Sequence, residues 1–290
     1  MTRLMGLLGL LIALAACAPQ PARAEPALWI VRDADSEMVL FGSMHLLPPD
    51  LPWRPQALDA ALAQADDLWF ELPVDPETEA QAAMLAMRYG ALPPGQSLYA
   101  QLPAESRERL TRLAARHGLP PNLLDRLKPW FAEVLLASAA FAEAGADVEQ
   151  GVEKQVSLTA PAMLERRALE SAEQQIALFD AVPMDEQWAN LIDTLEQLEE
   201  DPQGYDRLIA AWLSGDLAGL EAEALDPMRE AAPGLYRRMV VDRNTAWIEQ
   251  LEARLEGAGR SVVVVGAGHL LGEDGLPARL RALGYEVEGP

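Results

Sequence analysis

Cysteine is almost absent. Cys17 is the only one in 290 residues, so no internal disulfide can staple the fold. A second long apolar run is also missing, because nothing after residues 4–16 is long enough to cross a bilayer. Cationic excess is lacking as well. With 23 Lys and Arg against 45 Asp and Glu, the formal net charge is −22. That balance excludes nucleic acid as a partner, since phosphate binding needs clustered cations. It also opposes broad adsorption to anionic lipid, while an acidic surface keeps an exported domain in solution. Histidine is scarce, with three residues, His45, His117 and His269.

The N-terminus is the first positive feature. Arg3 followed by the apolar run 4–16 reads as an export signal, too short to span a membrane. Two processing sites stand side by side. Leu14-Ala15-Ala16-Cys17 has the form of a lipobox, in which Cys17 is lipidated, and Ala22-Arg23-Ala24 fits ordinary signal cleavage before Glu25. Residues 1–24 are therefore expected to be a signal peptide, and residues 25–290 a single domain in the periplasm. If Cys17 is acylated, the protein is a lipoprotein, expected on the outer membrane. The remaining length suffices for a large core without staples.

Strand-like runs crowd the two ends of the chain. Residues 27–31 and 38–41 read as strands around the polar turn Asp33-Ala34-Asp35-Ser36. Residues 55–65 have helical periodicity, and Leu68-Trp69-Phe70-Glu71-Leu72 reads as a buried strand ended by Pro73. That succession suggests a β-α-β unit and a partly parallel sheet. The middle is mostly helical, with Gly90 and Gly118 at helix ends and Pro103 and Pro129 at helix starts. Pro161-Ala162-Met163-Leu164 is expected to be one more inner strand, and residues 235–255 one long helix. Val262-Val263-Val264-Val265 has the unbroken β-branched character of a strand buried on both faces. A helix over 276–283 and a strand over 285–288 follow. The fold class is therefore α/β, a central mixed, partly parallel sheet built from both chain ends with a large helical insertion.

An internal repeat carries the chemistry. Met38-Val39-Leu40-Phe41-Gly42-Ser43-Met44-His45-Leu46-Leu47 matches Val262-Val263-Val264-Val265-Gly266-Ala267-Gly268-His269-Leu270-Leu271 in pattern. Each has four apolar strand residues, then Gly-x-x-His, then two leucines. In open α/β sheets, loops at the carboxyl ends of strands bind ligands. Gly42 and Gly266 would let the chain turn there, and His45 and His269 would project over the sheet edge. Glu71, in an otherwise apolar strand, is costly to bury unless it is paired or metal-bound. His45, His269 and Glu71 thus form a candidate set for a divalent metal ion such as Zn, Mn, Co or Fe, with positions left open for water or substrate. Read alone, Arg243 and its neighbour Asn244 sit on a solvated helix face, Glu153 is either a general base or ligand-supporting group or an ordinary helix-surface residue, and Glu170 lies at a helix start where the dipole favours it. His117 reads as a helix-end residue. Trp53, Trp130 and Trp188 read as core or rim anchors.

These segments resemble the TraB/GumN group (TraB/PrgY/GumN, Tiki-like), and more distantly erythromycin esterase-like and ChaN-like proteins. The resemblance runs through Leu40-Phe41-Gly42-Ser43-Met44-His45, the strand bearing Glu71, Leu127-Lys128-Pro129-Trp130 and Gly151-Val152-Glu153. It continues through Leu169-Glu170-Ser171-Ala172-Glu173-Gln174-Gln175, Trp212-Leu213-Ser214-Gly215-Asp216, Arg243-Asn244-Thr245-Ala246-Trp247 and Gly266-Ala267-Gly268-His269. It implies a sheet-centred α/β fold in which Glu71 and Arg243 join His45 and His269 at one site. It also implies divalent-metal-dependent peptide cleavage, the activity associated with the Tiki-like members. The expected function is accordingly a metal-dependent hydrolase of the cell envelope acting on a peptide or small-molecule substrate. In that reading Glu71 is either a ligand or the general base, and Arg243 steadies substrate or transition state. A non-catalytic peptide-binding regulator and a haem or iron carrier are the alternatives.

Overall fold

The computed structural model describes residues 25–290; residues 1–24, with the expected signal peptide and Cys17, lie outside the described residues. Six strands form one mixed sheet in the order β4-β3-β5-β2-β1-β6. β1 (Leu28–Arg32) and β2 (Ser36–Ser43) form an antiparallel hairpin. The Asp33 carboxylate locks its turn by accepting from the Ser36 N–H and hydroxyl. β5 (Gly259–Gly266) runs parallel to both β2 and β3 (Asp67–Phe70), and β4 (Glu165–Ala168) is parallel to β3 at one edge. β6 (Glu286–Glu288) is antiparallel to β1 at the other.

The crossover from β2 through the helix Gln56–Leu62 to β3 leaves one place in the sheet vacant. The valine run of β5 fills it from the far end of the chain, and Val262 to Val265 are each 0% exposed. On one sheet face Val39, Phe41, Leu68, Phe70 and Val264 meet Val152 and Val156 of the helix Val152–Thr159. On the other, Leu40, Trp69 and Val265 meet Trp247 and Leu251 of the helix Arg243–Leu255. Burial on both faces explains why these strands read as apolar runs rather than alternating patterns. The helices Pro76–Tyr89, Ala104–Arg116, Pro129–Glu143 and Met184–Glu200 enclose a second core, the expected insertion. Among the described residues no helix is long and apolar enough to cross a membrane.

Three local expectations are corrected. Pro161 to Leu164 is not a strand; β4 starts at Glu165 and is an exposed edge whose short polar sequence, Glu-Arg-Arg-Ala, carries no apolar signal. β3 ends at Phe70, so Glu71 lies one residue beyond it. The helix over 235–255 is interrupted by a π-helical turn, Arg237–Asp242, immediately before Arg243. Such a turn inserts a residue and rotates the next helical turn relative to the last, a device common near functional sites.

Candidate active site

The carboxyl ends of the four parallel strands carry Glu170, Glu71, His269 and His45 in spatial order, after β4, β3, β5 and β2 respectively. The two Gly-x-x-His loops are neighbours but not equivalents. In the β2–β5 register Gly42 faces Val265, and Ser43 faces Gly266, so the matched glycines are one step out of phase. After Gly266 the chain tightens into a 3₁₀ turn, Ala267–Leu270. This folds His269 back over the sheet, where it is buried and packs against Trp247 with centroids 4.4 Å apart and the rings tilted by 44°. β2 continues to Ser43, and the His45 ring, on the next bend, stays 66% exposed.

Both rings are held at Nδ1. His269 Nδ1 lies 2.7 Å from Asn244 Oδ1. The Asn244 amide nitrogen donates to the carbonyls of His269 and Asp274, so its oxygen is the acceptor and His269 Nδ1 bears the proton. His45 Nδ1 lies 2.7 Å from Glu153 Oε1, which also accepts from the Ser43 hydroxyl. Each Nε2 then turns toward Glu71. His269 Nε2 is 3.8 Å from Glu71 Oε1. A Cβ built on Gly266 would sit 3.1 Å from Glu71 Oε1, and 3.7 Å from both His45 Nε2 and His269 Cδ2. The missing side chain of Gly266 is therefore the notch into which the three groups project.

Arg243 closes the cluster from the far side. Its Nη2 donates to Glu71 Oε2 and to Glu170 Oε1, each at 2.5 Å, and its Nε donates to Glu170 Oε2. Nη1 donates to the Met239 carbonyl and faces His269 Nε2 at 2.9 Å. The guanidinium lies over the Trp247 ring, 4.5 Å from its centroid. Glu71 Oε1 takes the Gly266 N–H at 2.7 Å, and Gln175 bridges Glu71 and Glu170.

These contacts set the charges. Burial would push the Glu71 carboxyl up, but Arg243 and the two imidazoles outweigh it and hold it at about 2. The Glu153 carboxylate draws the exposed His45 ring up to about 9. Burial takes His269 down to about 3, so it is neutral. Burial also raises Glu170, with Arg243 opposing.

The residue-by-residue readings for Arg243, Asn244 and Glu170 are overturned, and of the two left open for Glu153 the surface one falls. Arg243 and Asn244 are 6% and 0% exposed, because the π-helical turn rotates both inward. Glu153 is spent on His45 and Ser43 rather than on solvent. Glu170 precedes the N-cap Ser171 and binds Arg243, not helix amides. The resemblance-based expectation places Glu71, Arg243, His45 and His269 together, as found. His117 caps the helix Ala104–Arg116 and pairs with Glu143. Trp53 and Trp130 are core residues, and Trp188 packs against the second core.

The donor set suits a divalent ion in chemistry once His45 gives up its Nε2 proton: two imidazole Nε2 atoms anchored through Nδ1 and one carboxylate oxygen, around a notch a Cβ would fill. It is not a ready-made cage. Among the described residues no three His, Cys, Asp or Glu groups converge closely enough to hold an ion as placed, and Arg243 Nη1 faces the lone pair of His269. Three participants escape a reading of the sequence. Gly151 packs its Cα on the His45 carbonyl, Gln175 bridges the carboxylates, and Ser43 supports Glu153. The resemblance covers the segments around them but gives none of the three a role. A cavity of about 300 Å³ opens beside the cluster, lined by His45, Glu71, Leu72, Val74, Val148 and Lys154 among others. A broader depression of about 520 Å³ lies on the opposite sheet face. Its Asp67 and Arg254 are already paired with each other.

A model of the TraB/PrgY/gumN family matches residues 27–289. The chain is 27% identical over 257 residues to the uncharacterized protein YbaP of Escherichia coli (strain K12), covering 88% of this chain and 92% of that protein. YbaP of Shigella flexneri matches with the same identity and coverage. No solved structure matches.

Proposed function

The chain belongs to the TraB/PrgY/gumN family, and from that premise we propose a hydrolase of the cell envelope that cleaves peptide or amide bonds with the help of a divalent metal. The observation that carries the proposal is the convergence of His45 Nε2, Glu71 Oε1 and His269 on the Gly266 notch at the mouth of a cleft. His45, His269 and Glu71 would hold the ion, which when bound lowers the pKa of water and polarises a carbonyl. Asn244 and Glu153 fix the ring orientations, as carboxamide and carboxylate partners do for ligating histidines. Arg243 neutralises Glu71 and Glu170 and presents Nη1 to the notch, where it can steady a developing oxyanion once it leaves His269 Nε2. Glu71, held ionised, accepts rather than donates protons. Arg3, the apolar run 4–16 and Cys17 support export, with a lipid anchor if Cys17 is acylated.

The guanidinium contact on His269 favours a second reading, a peptide-binding regulator without turnover. Metal content of the purified protein by mass spectrometry, beside His45→Ala and His269→Ala, separates the two. Near-stoichiometric metal lost in both folded variants supports the hydrolase. A protein that stays metal-free after reconstitution and turns over no peptide overturns it in favour of the regulator.

A further inference from the structure

The cleft beside His45 and Glu71 does not end at that cluster. A second cavity of about 210 Å³ adjoins it and shares Phe70, Pro73 and Val74 with it as common wall. The helix Val152–Thr159 flanks both: Gly151 and Lys154 line the first cavity, and Ser157 the second. Residues three apart share a helix face, so the two cavities form one groove. Six residues of helix rise span about 9 Å, the length of about three residues of extended peptide.

The charges along this groove differ. At the near end Lys154 is already paired with Glu79. At the far end stands Arg166, which shares a sheet face with Phe70 because it pairs with Leu68 while Ala168 pairs with Phe70. Arg166 has no carboxylate within 4.0 Å among the described residues. Its only protein partners there are the carbonyls of Ala160 and Ser157, reached through Nη2 at 3.3 and 3.4 Å. The Asp75 carboxylate lining the same cavity is spent on the N–H and hydroxyl of Thr78, as a helix cap. Arg166, exposed on the edge strand, therefore lines the cavity with no ion pair of its own and with Nε and Nη1 unbonded among the described residues, in a protein of net charge −22. Its pKa is lowered, with desolvation as the sole cause.

We propose that the cavity at Arg166 is a carboxylate-binding subsite of the groove, so that the preferred substrate is an extended peptide bearing a carboxylate about three residues from the one seated beside Glu71. The apolar wall of Phe70, Pro73 and Val74 takes the intervening aliphatic surface, and a guanidinium fork accepts a carboxylate in two parallel hydrogen bonds. The carboxylate comes from an acidic side chain or from the peptide's own C-terminus. This subsite rests on the peptide reading of the cluster, but its binding is measurable apart from turnover.

The test uses fluorescein-labelled, alanine-based octapeptides with one leucine and, three residues to either side, glutamate or glutamine, each with a free or amidated C-terminus. Binding is read by fluorescence anisotropy, and cleavage of the same peptides by metal-reconstituted protein by mass spectrometry. Wild type is expected to bind the glutamate peptide about tenfold tighter than the glutamine peptide, the scale of one charge-assisted hydrogen bond. In Arg166→Ala that ratio is expected to fall to about one, and in Arg166→Glu to invert. If free-C-terminus peptides bind tighter than amidated ones whether they carry glutamate or glutamine, the terminal carboxylate is the ligand; if the glutamate preference persists in amidated peptides, the side chain is. Equal binding of all four peptides by wild type, no binding at all, or a carboxylate preference that survives Arg166→Ala overturns the subsite. An Arg166-dependent preference without cleavage leaves the subsite standing and counts against the hydrolase. Cleavage with no preference does the reverse.

Discussion

His269 Nδ1 lies 2.7 Å from Asn244 Oδ1, and the Asn244 amide in turn donates to the His269 carbonyl. One buried side chain therefore holds both the ring and the backbone of the second Gly-x-x-His loop. Because the Asn244 oxygen can only accept, it fixes the tautomer that leaves His269 Nε2 unprotonated toward Glu71.

Asn244→Ala should accordingly have two separable effects. It strands the Asp274 and His269 carbonyls and the ring N–H in a buried place, costing about 2–4 kcal/mol. It also frees the ring to rotate, and loss of such a partner typically costs ten- to a hundredfold in metal affinity. Urea unfolding reads the first effect and metal titration the second. Unchanged affinity in a destabilised variant would reduce Asn244 to a structural role.

Arg243 is the hub of the charge cluster, and its removal strands Glu71 and Glu170 together. Arg243→Met keeps much of the aliphatic packing on Trp247 but leaves two buried carboxylates uncompensated, so a loss of about 3–5 kcal/mol is expected. Arg243→Lys keeps the charge but cannot reach both carboxylates with the same fork, and should recover only part of that loss. Thermal unfolding of the two variants side by side checks the order.

How much of the fold and site is legible in the sequence varies with the physical signal. The valine run of β5 announces itself because both its faces are buried, and the matching strand–Gly-x-x-His patterns bring His45 and His269 to one sheet edge. β4 is invisible, since a four-residue edge strand of Glu-Arg-Arg-Ala has no apolar face to read. Arg243 and Asn244 are misread from their neighbours because helical periodicity takes 3.6 residues per turn, and the π-helical turn at Arg237–Asp242 breaks that count just before them. Only the resemblance puts Arg243 in the site. Glu153 is ambiguous for another reason: its partner, His45, is 108 positions away, and no local pattern reports a pairing at that distance.

The glycines of the site should separate experimentally. At Gly266 φ is −49° and ψ 135°, a conformation alanine adopts freely, so Gly266→Ala should change stability by less than about 1 kcal/mol. Its new methyl nonetheless enters the notch 3.1 Å from Glu71 Oε1, and metal retention should drop sharply. Gly151→Ala instead drives a Cβ into the His45 carbonyl and should cost about 1–3 kcal/mol as overpacking does. Calorimetry with metal analysis on both variants checks this. A Gly266→Ala protein that binds metal as wild type does would show that the notch is not the site of the proposed ion.

The last prediction concerns Glu133, half-buried on the helix Pro129–Glu143 that borders the second core. Both its oxygens accept from the Asn190 amide at 2.7 Å, and no cation lies within 4.0 Å among the described residues. Burial pushes its carboxyl up from 4.5 to about 7, opposed by hydrogen bonds from Asn190 and Thr194 and reinforced by Asp193. An acid with a raised folded-state pKa binds its proton more tightly when folded. Its favourable contribution is therefore complete below about 4.5 and is lost as pH climbs through 7. At pH 8 the folded protein carries a half-buried charge it would be more stable without, by up to about 3 kcal/mol at 1.36 kcal/mol per pKa unit. Glu133→Gln mimics the protonated acid and keeps an acceptor for Asn190. It should therefore stabilise the protein at pH 8 by up to that amount, and leave it nearly unchanged at pH 4.5. Urea unfolding of both proteins at the two pH values measures the difference directly. An equal effect at both would mean that Glu133 titrates normally, with its carboxyl reaching water in the folded state.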